Sequence, residues 1–382
     1  MTALDALVER GTDPPGAAMF YETVPLWGRD LVSEDGAAYL FAGVERFFAT
    51  VPERHWGRID GRPVIWFYDN GGENAAAYSQ ATFDDLSTRF EARFGVRPFV
   101  VLDRSWLEGH TLEVDAIYTW GVAFLGFQPR DTVAGAGPGY DDTLVPGRDP
   151  IVIPREDGGY YRRNLYYALT SGRNILWLET WNEHHEATNI NHTAEYGRQY
   201  IEITREHADL FRQGEVPPRP DPGAYAGAAA VTASPAGGQG LELLDVPGDG
   251  IWEVVETAGA AAWQTTGDAP GRYLYFDIDD GFAYFDTPVD VRVEIEFLDV
   301  GGGRLELHYD DYAPGGPARL ADHYRSQPVT SIGDSGEWRI VTVTLQAVRF
   351  ANGQNGGADL RLWAGEDRDL AVRRVTLARL GG

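Results

Sequence analysis

Residues 174–192 carry the densest chemistry in the chain, Asn-Ile-Leu-Trp-Leu-Glu-Thr-Trp-Asn-Glu-His-His-Glu-Ala-Thr-Asn-Ile-Asn-His. An apolar run leads into Trp181, Asn182, Glu183, His184, His185 and Glu186. On a continuing strand, carboxylates three residues apart would face opposite sides. On a turn leaving the strand, Glu183 and Glu186 converge on one pocket. Two such carboxyls, one held protonated and one ionised, suit glycoside hydrolysis, with Trp181 to stack on a sugar ring. The plainer alternative is a solvated acidic loop after a core strand, against which stands the burial of Trp and Asn beside charges. A metal reading through His184, His185, Glu186 and His192 lacks the H-E-x-x-H helix spacing, and adjacent histidines diverge. No catalytic metal is expected.

Other segments offer weaker candidates. Residues 134–142, Ala-Gly-Ala-Gly-Pro-Gly-Tyr-Asp-Asp, look like a dinucleotide loop only superficially, because Pro138 and the residues after it do not fit a helix N-terminus cradling phosphate. A Gly/Pro-shaped loop presenting Tyr140, Asp141 and Asp142 to a pocket fits better, with a surface turn as the alternative. Asp69 follows an apolar run, where it binds a substrate hydroxyl or caps the next helix. Asp103 and Arg104 hold a similar place, with a simple ion pair as the alternative. In the C-terminal half, Asp277, Asp279, Asp280, Asp310 and Asp311 are oxygen donors of the kind that hold structural calcium; turn chemistry alone also favours Asp there. No other cofactor is expected.

The elements that must position these residues fall into two patterns. Up to about residue 214, apolar runs at 17–22, 63–69, 98–103, 116–119, 132–137 and 174–180 alternate with helical segments at 34–50, 82–94, 159–170 and 193–212. Runs rich in Val, Ile, Phe, Tyr and Trp suit strands buried on both faces, and strand-helix alternation implies a parallel sheet. Asp69, Asp103, Trp120 and Glu183 lie at or just past the C-terminal ends of these runs, where an α/β barrel keeps its chemistry. Residues 215–240, with Pro217, Pro218, Pro220 and Pro222 followed by Ala, Gly, Ser and Thr, read as a linker. From 241 to 382, period-two runs separated by Gly- and Asp-rich turns read as an antiparallel sandwich or jelly roll. The expectation is a (β/α)8 TIM-type barrel over 1–214, lacking its first strands since six runs are read, followed by an all-β sandwich of carbohydrate-binding type.

Four motifs together resemble glycoside hydrolase family 99, the endo-α-mannosidases and endo-α-mannanases. They are residues 60–70, the Gly-Pro-Gly-Tyr-Asp-Asp-Thr of 137–143, the Gly-Gly-Tyr-Tyr-Arg-Arg-Asn-Leu-Tyr-Tyr-Ala-Leu of 158–169 and the Trp-Asn-Glu-His-His-Glu-Ala-Thr of 181–188. They occur in the family's order over roughly 17–212, and the likeness is closer still to bacterial barrel-plus-sandwich proteins akin to that family. The resemblance implies a (β/α)8 barrel and retaining hydrolysis within a glycan chain. It makes Glu183 the base acting on the sugar's own 2-hydroxyl, which gives a 1,2-anhydro intermediate. It makes Glu186 the general acid and then the base toward water. Asn182 and His185 would orient them, and Tyr140 would approach the scissile sugar. Asp141, Asp69 and Trp181, read from the residues themselves, are the further substrate contacts expected. This chain departs from the family pattern at His184, where the family has Trp, at Ala187, where it has Gly, and at 144–148, which read Leu-Val-Pro-Gly-Arg.

Composition narrows the classes. The chain has 382 residues and a formal charge of −26, which disfavours nucleic acid and anionic membrane surfaces. It has no cysteine, which removes disulfides, thiol catalysis and cysteine-bound zinc. No apolar run is long enough to span a bilayer, so no membrane insertion is expected. The first ten residues lack a leader pattern, so the protein is cytoplasmic or its leader lies outside this sequence. The expectation taken is a bacterial, secreted protein, extracellular or periplasmic, whose partner is an oligosaccharide or polysaccharide. A non-catalytic carbohydrate-binding protein derived from a glycosidase barrel is the alternative.

Overall fold

The structure is a computed structural model that describes residues 2–68, 75–147, 150–246, 248–266, 272–313, 323–365 and 368–381. It is a mixed α/β chain with a sheet-rich C-terminal part, divided into two units. The first unit comprises 1–122, 131–137 and 171–181; the second comprises 123–130, 138–170 and 182–382.

Each of the six apolar runs coincides with one strand of the first unit, the second strand starting one residue before its run. They are β1 (Met19–Tyr21), β2 (Arg62–Phe67), β3 (Phe99–Asp103), β4 (Ala116–Tyr118), β5 (Ala134–Ala136) and β6 (Leu176–Leu178). β1 to β4 form a parallel sheet in chain order, with Met19 opposite Ile65, Ile65 opposite Val100 and Leu102 opposite Ile117. β5 and β6 form a separate parallel pair. The loop entering β5 is fastened to β4, where the Ile117 carbonyl accepts from Thr132 N and Val133 N at 3.1 and 3.0 Å.

Helix α1 (Glu34–Thr50) starts where the Ser33 hydroxyl accepts from Gly36 N at 3.2 Å, and Glu34 and Asp35 favour the positive end of its dipole. Its Leu40, Val44 and Phe48 repeat every fourth residue and bury one stripe. Helix α2 (Gln80–Phe94) ends at Gly95, whose φ of 76° suits the left-handed C-cap. Strand residues alternate between two faces. Ile65, Phe67, Val100 and Leu102 pack with Leu40, Val44, Phe48, Phe83 and Phe90 of the helices. Val64, Trp66, Phe99, Val101 and Tyr118 form a second core on the opposite face, with Trp120 and Trp177 against it. A fully buried Phe or Ile contributes roughly 1.5–3 kcal/mol in such a core.

The second unit holds α3 (Gly159–Thr170) and α4 (Gln199–Gln213), joined where Tyr161 Oη and Thr204 Oγ1 lie 2.9 Å apart. Two antiparallel sheets follow. One contains β7 (Ala230–Ser234), β9 (Trp252–Thr257), β10 (Ala260–Thr265), β12 (Val289–Leu298), β15 (Trp338–Val348) and β17 (Ala371–Arg379). The other runs β8 (Leu241–Leu244), β11 (Tyr273–Ile278), β16 (Leu360–Trp363), β13 (Gly303–Tyr309) and β14 (Arg325–Ile332). One apolar core takes Val293, Ile295, Val375 and Leu377 from the first sheet and Leu274, Phe276, Leu307 and Leu362 from the second, so the sheets face each other. The linker expectation for 215–240 is corrected over its second half, because Ala230–Ser234 is a strand with Thr232 opposite Thr376 of β17. Val231 and Ala233 point into the core, but side chains this small give a faint period-two signal.

Acidic side chains of this unit crowd around Asp359, which is fully buried and accepts from Asn352 N at 2.9 Å and Ile278 N at 3.1 Å. Burial and the charge of Asp277 push the Asp359 carboxyl well up; burial and the charge of Asp280 do the same to Asp277. Burial, then the charge of Asp279, pushes Asp280 up to about 7. A carboxyl whose pKa is raised by folding contributes stability that is complete below the unfolded value near 4 and is lost as pH rises through the folded value. The protein is therefore expected to be more stable at pH 5 than at pH 8, and Asp280→Asn to flatten that difference by on the order of 2 kcal/mol. Urea midpoints of both proteins at the two pH values check this.

Candidate active site

The segment carrying Glu183 and Glu186 leaves β6 through Glu179, which is buried and whose Oε2 accepts from Gly121 N at 2.9 Å. This bond ties the end of β6 to the loop after β4. Residues 183–188 then close a turn. Thr188 N donates to the Glu183 carbonyl at 3.2 Å, and Glu183 Oε1 accepts from His185 N at 3.1 Å. Both Glu183 and Glu186 are half-buried, while Asn182, His184 and His185 are exposed. The Glu186 carbonyl accepts from Asp141 N at 2.9 Å, so two sequence-predicted segments meet here.

Asp141 belongs to a short hairpin in which Tyr140 and Asp141 pair antiparallel with Ile153 and Val152. The Tyr140 ring is buried and meets the Phe124 ring edge-on at 5.1 Å. Asp142 is buried too; its Oδ1 accepts from Ile151 N at 2.6 Å and its Oδ2 from Tyr140 Oη at 3.4 Å. Asp141 is exposed, and the hydrogen bonds from Thr143 hold its carboxyl below the usual range. Beside this hairpin lies a cavity of about 680 Å³, lined among others by Tyr140, Asp141, Arg155, His184, Asn189 and Tyr196. The glutamate turn meets that cavity through His184 and Ala187, not through its carboxyl groups.

The sequence reading overlooked Arg155, which follows the hairpin's return strand. It is 9 % exposed and donates from Nη2 to the carbonyls of Ala187 at 2.5 Å and Asn189 at 2.9 Å. No local pattern marks such a residue. Ala187 holds a φ of +49°, the left-handed region that glycine adopts without cost.

Trp181 stands elsewhere, in the first unit. With Phe20, Trp66, Trp120, Trp177 and Thr180 it lines an aromatic bowl of about 330 Å³. The Phe20 ring stacks on Trp177 at 5.9 Å and meets Trp120 at 5.5 Å, while Trp66 and Trp177 lie 4.8 Å apart. Trp181 is 60 % exposed and Phe20 40 %. Phe20, Trp66 and Trp177 were not singled out from the sequence; for Phe20 and Trp66 the signal was their alternate position on strands whose Met19, Tyr21, Ile65 and Phe67 pack with the helices. Asp69 lies outside the described residues. The ion-pair reading of Asp103 with Arg104 is corrected. Asp103 accepts from Ser105 N at 2.9 Å and Trp120 N at 2.6 Å, and Arg104 pairs with the buried Asp131. Among the described residues, no group of three His, Asp or Glu side chains could hold a metal ion, and no helix is long and apolar enough to cross a membrane.

Residues 18–217, just over half of the chain, match the family model described as Domain of unknown function (DUF5010). The chain belongs to this family. No curated protein matches this DUF5010 chain. The likeness to glycoside hydrolase family 99 recurs among solved structures. The GH99 endo-alpha-mannosidase from Bacteroides thetaiotaomicron is 19 % identical at a TM-score of 0.41, covering 55 % of this chain and 74 % of its own. A glycoside hydrolase-like protein is 15 % identical at a TM-score of 0.43, covering 54 % and 75 %. A family 11 carbohydrate-binding module from Clostridium thermocellum is 10 % identical at a TM-score of 0.19, covering 40 % and 89 %.

Proposed function

We propose that this DUF5010 protein is a retaining glycoside hydrolase acting on an oligosaccharide or polysaccharide outside the cytoplasm. On this reading the parallel strands belong to a (β/α)8-type barrel and the C-terminal sheets to a jelly-roll module that binds carbohydrate. The observation that carries it is the turn 183–188, where two half-buried glutamates three residues apart stand on a hydrogen-bonded frame tied to the Tyr140–Asp141 strand. Glu183 takes the proton of the sugar 2-hydroxyl as that oxygen attacks C1. Glu186 protonates the departing glycosidic oxygen as its bond to C1 breaks, then takes a proton from the water that attacks C1, while the C1–O2 bond of the anhydro ring breaks and Glu183 returns its proton to O2. The test is to assay the wild type on a glycan panel, reading product anomers by NMR. Retained configuration is expected. Inversion overturns the mechanism, and an inert wild type overturns the enzyme reading.

A second reading, sugar binding without turnover, is favoured by the aromatic bowl, which is built without either carboxylate. Stacked rings contribute about 1 kcal/mol each beyond area burial. Replacing Trp181 or Trp177 by Ala is therefore expected to weaken glycan binding roughly fivefold to tenfold by titration calorimetry. Unchanged affinity in both would remove the bowl from the site.

A further inference from the structure

Resting on the reading of Glu186 as the general acid, we propose that Arg155 is its positioning residue. The buried guanidinium clamps the carbonyls that follow Glu186 and thereby sets where that carboxyl stands.

The argument begins with the hairpin. Its first strand supplies Asp141 N to the Glu186 carbonyl at 2.9 Å. Its second strand, Val152–Ile153, runs through Pro154 into Arg155, whose Nη2 reaches the carbonyls of Ala187 and Asn189 and the Asn189 Oδ1 at 3.4 Å. One hairpin therefore holds the main chain at Glu186, at Ala187 and at Asn189. The left-handed backbone of Ala187 lies in the middle of that span and needs such a hold, since a Cβ there disfavours the conformation.

The guanidinium is also costly where it is. It is nine-tenths buried, its Nη1 has no hydrogen-bond partner, and no carboxylate among the described residues pairs with it. Its charge is met instead by carbonyl oxygens and by the ring faces of Tyr196 and Tyr200, 4.6 and 4.3 Å from the guanidinium carbon. A buried cation without a counter-ion is destabilising except as far as its hydrogen bonds and ring contacts offset the lost hydration. An aliphatic side chain would fill the space at lower cost, but it could not bridge Ala187 and Asn189. Lysine keeps the charge and loses the planar fork. Arg155 is thus placed to act through Glu186, with no contact to the reacting atoms required.

The experiment uses the full chain with Arg155→Met and Arg155→Lys. Two substrates share one sugar: the panel glycan that the wild type cleaves best, and the matching 2,4-dinitrophenyl glycoside, whose leaving group needs little protonation. A displaced general acid is expected to lower kcat/KM on the glycan about 30- to 100-fold in Arg155→Met, with KM within about threefold, while kcat/KM on the aryl glycoside, which reports leaving-group departure alone, falls less than about fivefold. Arg155→Lys should recover part of the loss. Equal losses of kcat/KM on both substrates, or a rise in KM alone, overturn the proposal. Amide hydrogen exchange at Ala187 and Thr188 gives a readout independent of catalysis. Exchange about tenfold faster in the variants is expected, and unchanged protection overturns the clamp. If no glycan is cleaved by the wild type, the hydrolase reading fails while exchange still decides the role of Arg155. If Arg155→Met does not fold, Arg155→Lys carries both measurements.

Discussion

Glu186→Gln is expected to lower kcat on a native glycan by about 10²- to 10⁴-fold, the usual range for a positioned general acid. The amide keeps the shape of the side chain and the main-chain bond from Asp141 to the Glu186 carbonyl, but its N–H groups are too weakly acidic to transfer a proton to the leaving oxygen. An aryl glycoside with a good leaving group should lose far less in its first step. Glu183→Gln should behave differently. Its role as base is needed whatever the leaving group, so both substrates should slow by a similar factor of about 10²–10⁴. The pair of variants therefore distinguishes the two carboxyls by kinetics alone, using kcat and kcat/KM on each substrate. If an active wild type lost nothing in either variant, neither glutamate would be catalytic.

The second large effect concerns stability. In the second unit, Arg130 Nη2 lies 2.5 Å from Asp310 Oδ1, and the two side chains are 5 % and 0 % exposed. Asp310 also accepts from Ala351 N at 2.9 Å and Gly353 N at 3.2 Å. Burial pushes the Asp310 carboxyl up to about 6 even though Arg130 and these amides draw it down. Removing the cation leaves a buried charge uncompensated, so Arg130→Met should cost about 3–5 kcal/mol at pH 8. The cost should shrink toward pH 5, where Asp310 takes up a proton and no longer needs the partner. Arg130→Met with Asp310→Asn should recover part of the loss. Urea denaturation of the three proteins checks the order; an Arg130→Met variant as stable as the wild type at pH 8 would show that the pair contributes nothing.

How far the sequence could be read depended on side-chain size and on distance along the chain. The runs around Ile65, Val100 and Ile117 are dense in large apolar residues, and each coincides with a strand of the parallel sheet. Helix α3 was legible to its ends, since Gly158 and Gly172 bound an apolar stripe through Tyr161, Leu165 and Ala168. Ala230–Ser234 was not legible, because two small inward residues among Ala, Thr and Ser resemble a linker. At the candidate site, the unusual company of Glu183 and Glu186 drew attention by type alone. Arg155 did not, because its partners at Ala187 and Asn189 lie more than thirty residues away and it meets Ala187 through main-chain oxygen, which every residue carries. Trp66 could be seen as apolar, but its share in a bowl required knowing which way alternate residues of β2 face.

The division of the chain has a practical consequence. From residue 123 onward the polypeptide leaves the first unit and returns to it twice before 182. No single cut in the gene can therefore release either unit whole. A truncation after the proline-rich stretch would strand α3, α4 and the Tyr140 hairpin apart from the sheets they are grouped with. Anyone dissecting this protein by fragments should expect insoluble halves, and should turn to point substitutions or circular permutation instead.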